Sequence, residues 1–195
     1  GDWLIRFQFH FIRTRTQAVF REKYGQNFPS FQDISSRSAY VFTNTEPLID
    51  FATPLITKVI HLGGLTSNEP KKLNEEWETI LALREKTVLF SFGSVVKSAD
   101  ISMKLKNSIL ETIKVFPNVT FIWKYEKDDD FARNFASKVD NLVLSKWMPQ
   151  SDLLAHPKMA AFITHGGAGS TQETANRGVP GIFIPLFGDQ PRNAG

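Results

Sequence analysis

The hydrophobic pattern is ambiguous at the start of the chain and regular after its first third. Over residues 1–24, Ile5, Phe7, Phe9 and Phe11 alternate as in a strand, while Leu4, Phe7 and Phe11 also fit one helical face, so periodicity does not choose between them. Residues 16–24 followed by Gly25 predict a helix closed by a glycine cap. Residues 39–43 and 58–62 predict short strands, separated by Pro47 and Pro54. Between Gly63 and Asn74 the composition shifts to Gly, Thr, Ser, Asn, Pro and Lys, as in an exposed linker between compact units. The expected division is 1–64 as the end of one domain, 65–74 as linker and 75–195 as a second domain.

From there, apolar strands and helices alternate. Asn74 is placed to cap a helix with Glu75 and Glu76 in its positive first turn and Trp77, Ile80 and Leu81 on one face. A strand at 87–92 precedes a helix expected from Asp100, with Leu105, Ile109, Ile113 and Phe116 at helical spacing. A strand at 119–124, a short helix at 130–137 and a strand at 141–144 follow. Ser151 is expected to cap a helical turn ending before Pro157. A strand at 160–164, a helix at 169–177 stopped by Gly178 and a strand at 181–185 complete the pattern. Five apolar strands alternating with helices predict an α/β fold with a doubly wound, mostly parallel sheet buried on both faces.

Composition narrows this little. Of the 195 residues, 42% are hydrophobic and 22% charged, which excludes a disordered chain. The formal charge of +3 is spread over scattered Lys and Arg, which argues against a nucleic-acid partner. The absence of cysteine removes disulfides and thiolate metal sites. Asn118-Val119-Thr120 matches a glycosylation acceptor but enters a predicted strand. No run reaches the roughly 20 apolar residues that span a bilayer, so the chain itself is expected to be soluble. It reads as a piece of a longer protein, opening at Gly1 and stopping in 189–195 where a helix is starting.

In a doubly wound sheet, ligands sit beyond the carboxyl ends of the strands, which directs attention to the turns there. After strand 87–92 come Gly93, which lets backbone approach a ligand, and Ser94, whose hydroxyl suits a phosphate oxygen; an ordinary strand-to-helix turn reads the same way. After strand 160–164 comes His165-Gly166-Gly167-Ala168-Gly169-Ser170-Thr171, opening a helix. Its bare amides and dipole favour a phosphate by about 0.3–1 kcal/mol, and His165 adds a donor. Glu173, eight residues on, is placed to accept from ribose hydroxyls. The competing readings are a satisfied core histidine and a solvated helix face. Asp189-Gln190, after the last strand, suits sugar hydroxyls, or Asp189 is a helix cap. Trp147-Met148-Pro149-Gln150 offers an indole for a base to stack on and a carboxamide for a base or ribose edge, although Trp147 also reads as core.

Taken together, these residues resemble the signature of the UDP-glucuronosyltransferases, the animal branch of the UDP-glycosyltransferases. The likeness runs through Trp147-Met148-Pro149-Gln150, Asp152-Leu153-Leu154, His156-Pro157, residues 162–167, Glu173 and residues 185–190, with His61-Leu62-Gly63-Gly64-Leu65 and residues 90–94 upstream. The resemblance implies a two-lobed, Rossmann-like GT-B glycosyltransferase, with this chain supplying most of the donor domain and the end of the acceptor-side domain. It implies metal-independent, inverting transfer of a sugar from UDP to a small lipophilic acceptor, with no cofactor beyond the UDP-sugar co-substrate. In that pattern Trp147 stacks on uracil, and Gln150 and Glu173 hold the ribose. Gly93, Ser94, His165, Gly166, Gly167, Gly169 and Ser170 surround the diphosphate, and Asp189 and Gln190 hold the sugar. Two positions depart from it: Gly169 stands where many relatives have Asn, and Thr53 where others have Arg.

The resemblance also implies a catalytic histidine, paired with an aspartate, that lies outside this chain. None of His10, His61, His156 and His165 occupies that place. The parent is expected in the endoplasmic reticulum membrane, active side lumenal, with a carboxyl-terminal anchor outside this chain; oligomerisation is left open. Two other enzyme classes fit less well. His165-Gly166-Gly167 is similar to an α/β-hydrolase oxyanion loop, but no Gly-x-Ser-x-Gly elbow follows. The Gly167-x-Gly169 pair lacks the third glycine of a dinucleotide fingerprint. A non-catalytic UDP-sugar binder remains the main alternative.

Overall fold

A computed structural model describes residues 2–47, 50–52, 54–65 and 69–195, with side chains from His10 onward. Thr53 and residues 66–68 of the expected linker lie outside the described residues. The chain divides into two compact units, one of residues 1–43 and 53–61, the other of 44–52 and 62–195.

In the first unit, residues left undecided by periodicity form one helix, α1 (Asp2–Tyr24), so the predicted 16–24 helix is its end. Helical geometry lets the Thr14 and Thr16 hydroxyls donate to the carbonyls four residues back, an outlet a strand would not provide. Gly25 then takes a φ of +97°, open to glycine without strain. A second helix, α2 (Phe31–Arg37), which the pattern did not predict, is capped by Ser30 accepting from the Asp33 N–H. The Gln17 carboxamide ties it to α1, donating to Pro29 O and accepting from Phe31 N–H. Phe20, Tyr24, Phe28 and Phe31 pack their rings over that turn. The two predicted strands are present as β1 (Val41–Thr43) and β2 (Val59–His61), paired in parallel.

The second unit holds five parallel strands: β3 (Lys86–Ser91), β4 (Val119–Lys124), β5 (Leu142–Ser145), β6 (Met159–Thr164) and β7 (Gly181–Phe183), in the order β5-β4-β3-β6-β7. This is the predicted doubly wound sheet, except that edge strand β7 is not buried on both faces, Ile182 being exposed. Its strands alternate sides and so feed two cores. Phe90, Phe92, Phe121 and Trp123 face one way, toward α4 (Met103–Val115) and α5 (Asp130–Asn134). Leu89, Ile122 and Phe162 face the other, packing with Trp77 and Leu81 of α3 (Glu75–Ala82) and Leu153 and Leu154 of α6 (Gln150–Leu154). Asn74 caps α3 as expected, accepting from the Trp77 N–H.

Two helix starts differ from expectation. Asp100 ends a separate 3₁₀ turn (Ser98–Asp100), and α4 begins only at Met103, because Ser102 takes the cap position and accepts from the Leu105 N–H. Ser151 lies inside α6 rather than capping it: Pro149 precedes the helix, and its φ of −75° and ψ of 75° form a tight turn closed by Gln150 N–H to Met148 O. Thr120 of the glycosylation triplet is fully buried in β4. No described helix is long and apolar enough to cross a membrane.

Candidate functional site

The chain enters the sheet at β3 and crosses to β4 and β5 on one side, then returns to β6 and β7 on the other. The carboxyl ends of β3 and β6 therefore meet where the winding reverses, with Ser91 in register with Thr164. Such a reversal leaves a crevice between turns that diverge to opposite faces.

That crevice is a cleft of about 430 Å³. Gly93 and Ser94 line it from the turn after β3, Trp147 from the turn before α6, Gln150 from the first position of α6, and Gly169, Ser170 and Glu173 from α7 (Ala168–Arg177). The tight turn at Pro149 explains how Trp147 comes to face it: Met148 drops into the core at 4% exposure while Trp147 stands 76% exposed. Trp147 is therefore not a core residue. Nor is Glu173 a plain solvated face, because its carboxylate accepts from Gln150 Nε2 at 2.6 Å, with Ser170 Oγ at 3.3 Å from the same nitrogen. These three side chains form one polar wall.

His165, Gly166 and Gly167 do not line the cleft itself; His165 adjoins it behind Gly93. Its imidazole is half-buried, with Nδ1 3.4 Å from the Thr164 hydroxyl. The ring edge fills the space between two glycines: a methyl group on Gly93 would stand 2.6 Å from Cε1, and one on Gly167 would stand 2.7 Å from Nε2. Glycine at both positions is thus a packing requirement set by the ring. Desolvation by burial pushes the imidazole below its usual range; Asp189 opposes this and Lys124 adds to it. Gly167 begins α7 with no side-chain cap, which leaves the first amides of that helix open to a ligand.

Lys124, at the end of β4, was not recognised from the sequence. Its ammonium donates to Gly93 O at 2.7 Å and lies 5.5 Å from the centre of the Trp147 ring. It links the indole end of the cleft to the glycine and histidine end and adds a positive charge there. The available signal was a lysine closing an otherwise apolar strand beside a ligand-binding edge.

Asp189 and Gln190 do not line this cleft, and they diverge from one another. Gln190 is buried, its Oε1 accepting from the Leu186 and Phe187 N–H groups. Asp189 is exposed and precedes α8 (Gln190–Asn193) without capping it.

Gly169 bears on the Asn found in many relatives. A methyl group there would meet nothing within 4 Å, and its φ is not in the left-handed region. Gly169→Asn is therefore expected to fit, and to strengthen UDP binding by about two- to tenfold, the worth of one hydrogen bond, as read by calorimetry.

Comparison with known proteins bears on the family and the fold. Residues 2–195 match the family described as UDP-glucoronosyl and UDP-glucosyl transferase. A putative UDP-glucuronosyltransferase of Caenorhabditis elegans, ugt-47, is 33% identical over 95% of this chain and 35% of its own length. UDP-glucuronosyltransferase 1A7 of Mus musculus is 35% identical over 83% of this chain and 29% of its own. The chain thus spans about a third of the length of these relatives. Among solved structures, the glycotransferase of kitacinnamycin superposes with a TM-score of 0.58 at 21% identity, covering 93% of this chain and 45% of that one. A variant of Os79 from O. sativa in complex with UDP gives 0.56 at 20% identity, covering 70% and 34%. The fold is the Rossmann-like one of GT-B glycosyltransferases, and the chain belongs to the UDP-glucuronosyl and UDP-glucosyl transferase family.

Proposed function

We propose that this chain supplies the donor half of an enzyme that transfers a glycosyl group from a UDP-sugar to a small lipophilic acceptor, metal-independently and with inversion. The observation that carries the reading is the shared cleft: an exposed indole, a Gln150–Glu173 pair and an uncapped helix start line one crevice. Uracil stacks on Trp147, where the Lys124 ammonium holds the other ring contact. Glu173 accepts from the ribose hydroxyls, with Gln150 fixing its carboxylate. The diphosphate meets the amides of Gly167 to Ser170, the Ser94 hydroxyl and the His165 ring.

As the glycosidic bond breaks, negative charge grows on the departing diphosphate. Fixed donors aimed at that charge stabilise it without reorganising. In this reading the first amides of α7 and the His165 ring provide such donors, and Lys124 at the end of β4 adds a positive charge nearby. The proton from the acceptor hydroxyl goes to a base in the parent's other lobe. Asp189 is assigned to the donor sugar by resemblance, and Gln190, buried with its oxygen held by two N–H groups of its own loop, fixes the segment that carries Asp189. The parent is proposed to sit in the endoplasmic reticulum membrane with this domain lumenal.

UDP is expected to bind this chain with a Kd in the micromolar to millimolar range. Trp147→Ala removes a stacking contact worth about 1–3 kcal/mol and weakens binding by roughly 5- to 150-fold. Because the side chain is 76% exposed, the unfolding midpoint stays put. Equal calorimetric affinities for wild type and variant would remove the base from this position. Sugar transfer is expected only when an acceptor lobe is supplied, and full turnover by the chain alone would contradict the division of roles.

A further inference from the structure

On α8, Asn193 makes a connection that the transfer reading does not use. Its Nδ2 donates to the Gly166 carbonyl at 2.8 Å and to an Asp189 carboxylate oxygen at 2.8 Å. A carboxamide nitrogen carries two hydrogens, and this geometry occupies both. One partner is the glycine turn leaving β6; the other is the carboxylate assigned to the sugar.

Neither partner has much freedom. Gly166 is buried with a φ of +83°, and a methyl group there would stand 3.2 Å from Phe183 Cδ1 and 3.4 Å from Gln190 O. The loop before α8 is pinned by Gln190 Oε1 accepting from two of its N–H groups. Asp189 is the exposed side chain that these contacts leave to be oriented, and Asn193 orients it.

We propose that Asn193 is a positioning residue for the donor sugar, holding the Asp189 carboxylate at a fixed place relative to the glycine turn. A sugar attached to a diphosphate at the start of α7 then meets that carboxylate with its geometry already set. This rests on the assignment of Asp189 to the sugar. It goes further in separating two recognitions: uracil, ribose and diphosphate are held without Asn193, and the hexose is not.

The test titrates the full chain with UDP, UDP-glucose and UDP-glucuronate by calorimetry. Asn193→Ala is expected to leave the Kd for UDP within about twofold of wild type while raising that for at least one UDP-sugar about five- to tenfold. Asn193→Ser, which keeps one donor, falls between. In an Asp189→Ala background the Asn193 substitution adds no further loss, because the two act through one contact. Equal weakening of UDP and both UDP-sugars would mean a purely structural role and overturn the proposal. So would unchanged affinities for all three ligands, or additive losses in the double variant. If Asp189→Ala alone leaves the UDP-sugars unaffected, the sugar assignment fails and this proposal with it. If wild type binds no UDP, the donor-site reading itself fails.

Discussion

Asp129→Ala is expected to lower the unfolding free energy by about 3 kcal/mol, measured by urea denaturation. The side chain does three things at once. One carboxylate oxygen caps α5 by accepting from the Ala132 N–H, the other accepts from the Tyr125 hydroxyl at 2.8 Å, and that oxygen lies 3.9 Å from the Lys106 ammonium. Lys106 is only 4% exposed and donates to Ala99 O and to the Tyr125 hydroxyl, over the rings of Tyr125 and Phe131. Losing the cap costs about 1 kcal/mol. Leaving a buried ammonium without its carboxylate costs about 3–5 kcal/mol when both charges are fully buried, and less here because Asp129 is 33% exposed. Lys106→Met removes the charge and keeps the apolar stem, so it costs less, and combined with Asp129→Ala it gives less than the sum. A loss no larger than that of a lone cap would mean that the ammonium does not depend on Asp129.

The same network sets a pH dependence. Burial works against the Asp129 charge, but the Ala132 N–H, the Tyr125 hydroxyl and Lys106 outweigh it and hold the carboxyl below its usual range. Tyr125 is pushed upward, first by burial and then by Asp129. A carboxyl depressed in the folded state contributes stability that is present above its unfolded value, about 3.9, and is lost as pH falls through the folded one. Wild type therefore loses stability below about pH 4, and Asp129→Ala lacks that part of the slope.

The unit with the five-stranded sheet was legible because its signals agreed across scales. Each strand of the parallel sheet is apolar on both faces, as at Phe90 and Leu89, and each is followed by a turn residue or a cap. Helix starts were less legible where two candidates competed. Ser102 and Asp100 both suit a cap, and only the packing of Ser98 and Ala99 into the core, which takes up the 3₁₀ turn, decides for Ser102. The first 24 residues failed to declare themselves because aromatic positions fell at both periods. Their helix is supported by contacts to α2, which are distant in sequence from the ambiguous stretch.

In the site, the types of residue were readable and their directions were not. Trp147 and Gln190 show this from opposite sides. The sequence left Trp147 open between core and platform, and a turn at Pro149 turns it outward. Gln190 read as a sugar contact, and its oxygen is held by two backbone N–H groups of its own loop. Lys124 escaped notice because a lysine ending a strand is common, and its meaning depends on Gly93 and Trp147, both far along the chain.

Gly167→Ala is expected to weaken UDP binding by about 10- to 100-fold, the worth of a hydrogen bond to a charged group, through the ring beside it. The backbone gives no reason for this: Gly167 has a φ of −63° and a ψ of 146°, open to any residue. The cause is the added methyl group, which would stand 2.7 Å from His165 Nε2 and 2.9 Å from Cε1. Gly93 borders the same edge of the ring, where an added methyl group would stand 2.6 Å from Cε1. Displacing the ring moves the donor proposed for the diphosphate and costs about 1–3 kcal/mol of stability as overpacking does. His165→Ala lowers UDP affinity to a similar extent by removing the same donor. The double variant separates packing from binding: with the ring gone the new methyl group has space, so the stability lost in Gly167→Ala returns while UDP affinity stays low. Gly93→Ala behaves differently, since its φ of +85° adds strain of about 1–2 kcal/mol that persists when His165 is removed. Full rescue of Gly167→Ala and partial rescue of Gly93→Ala by the loss of His165, the backbone strain at Gly93 remaining, would identify the imidazole as the object both glycines accommodate. Wild-type UDP affinity and stability in Gly167→Ala would show that the ring does not occupy that gap.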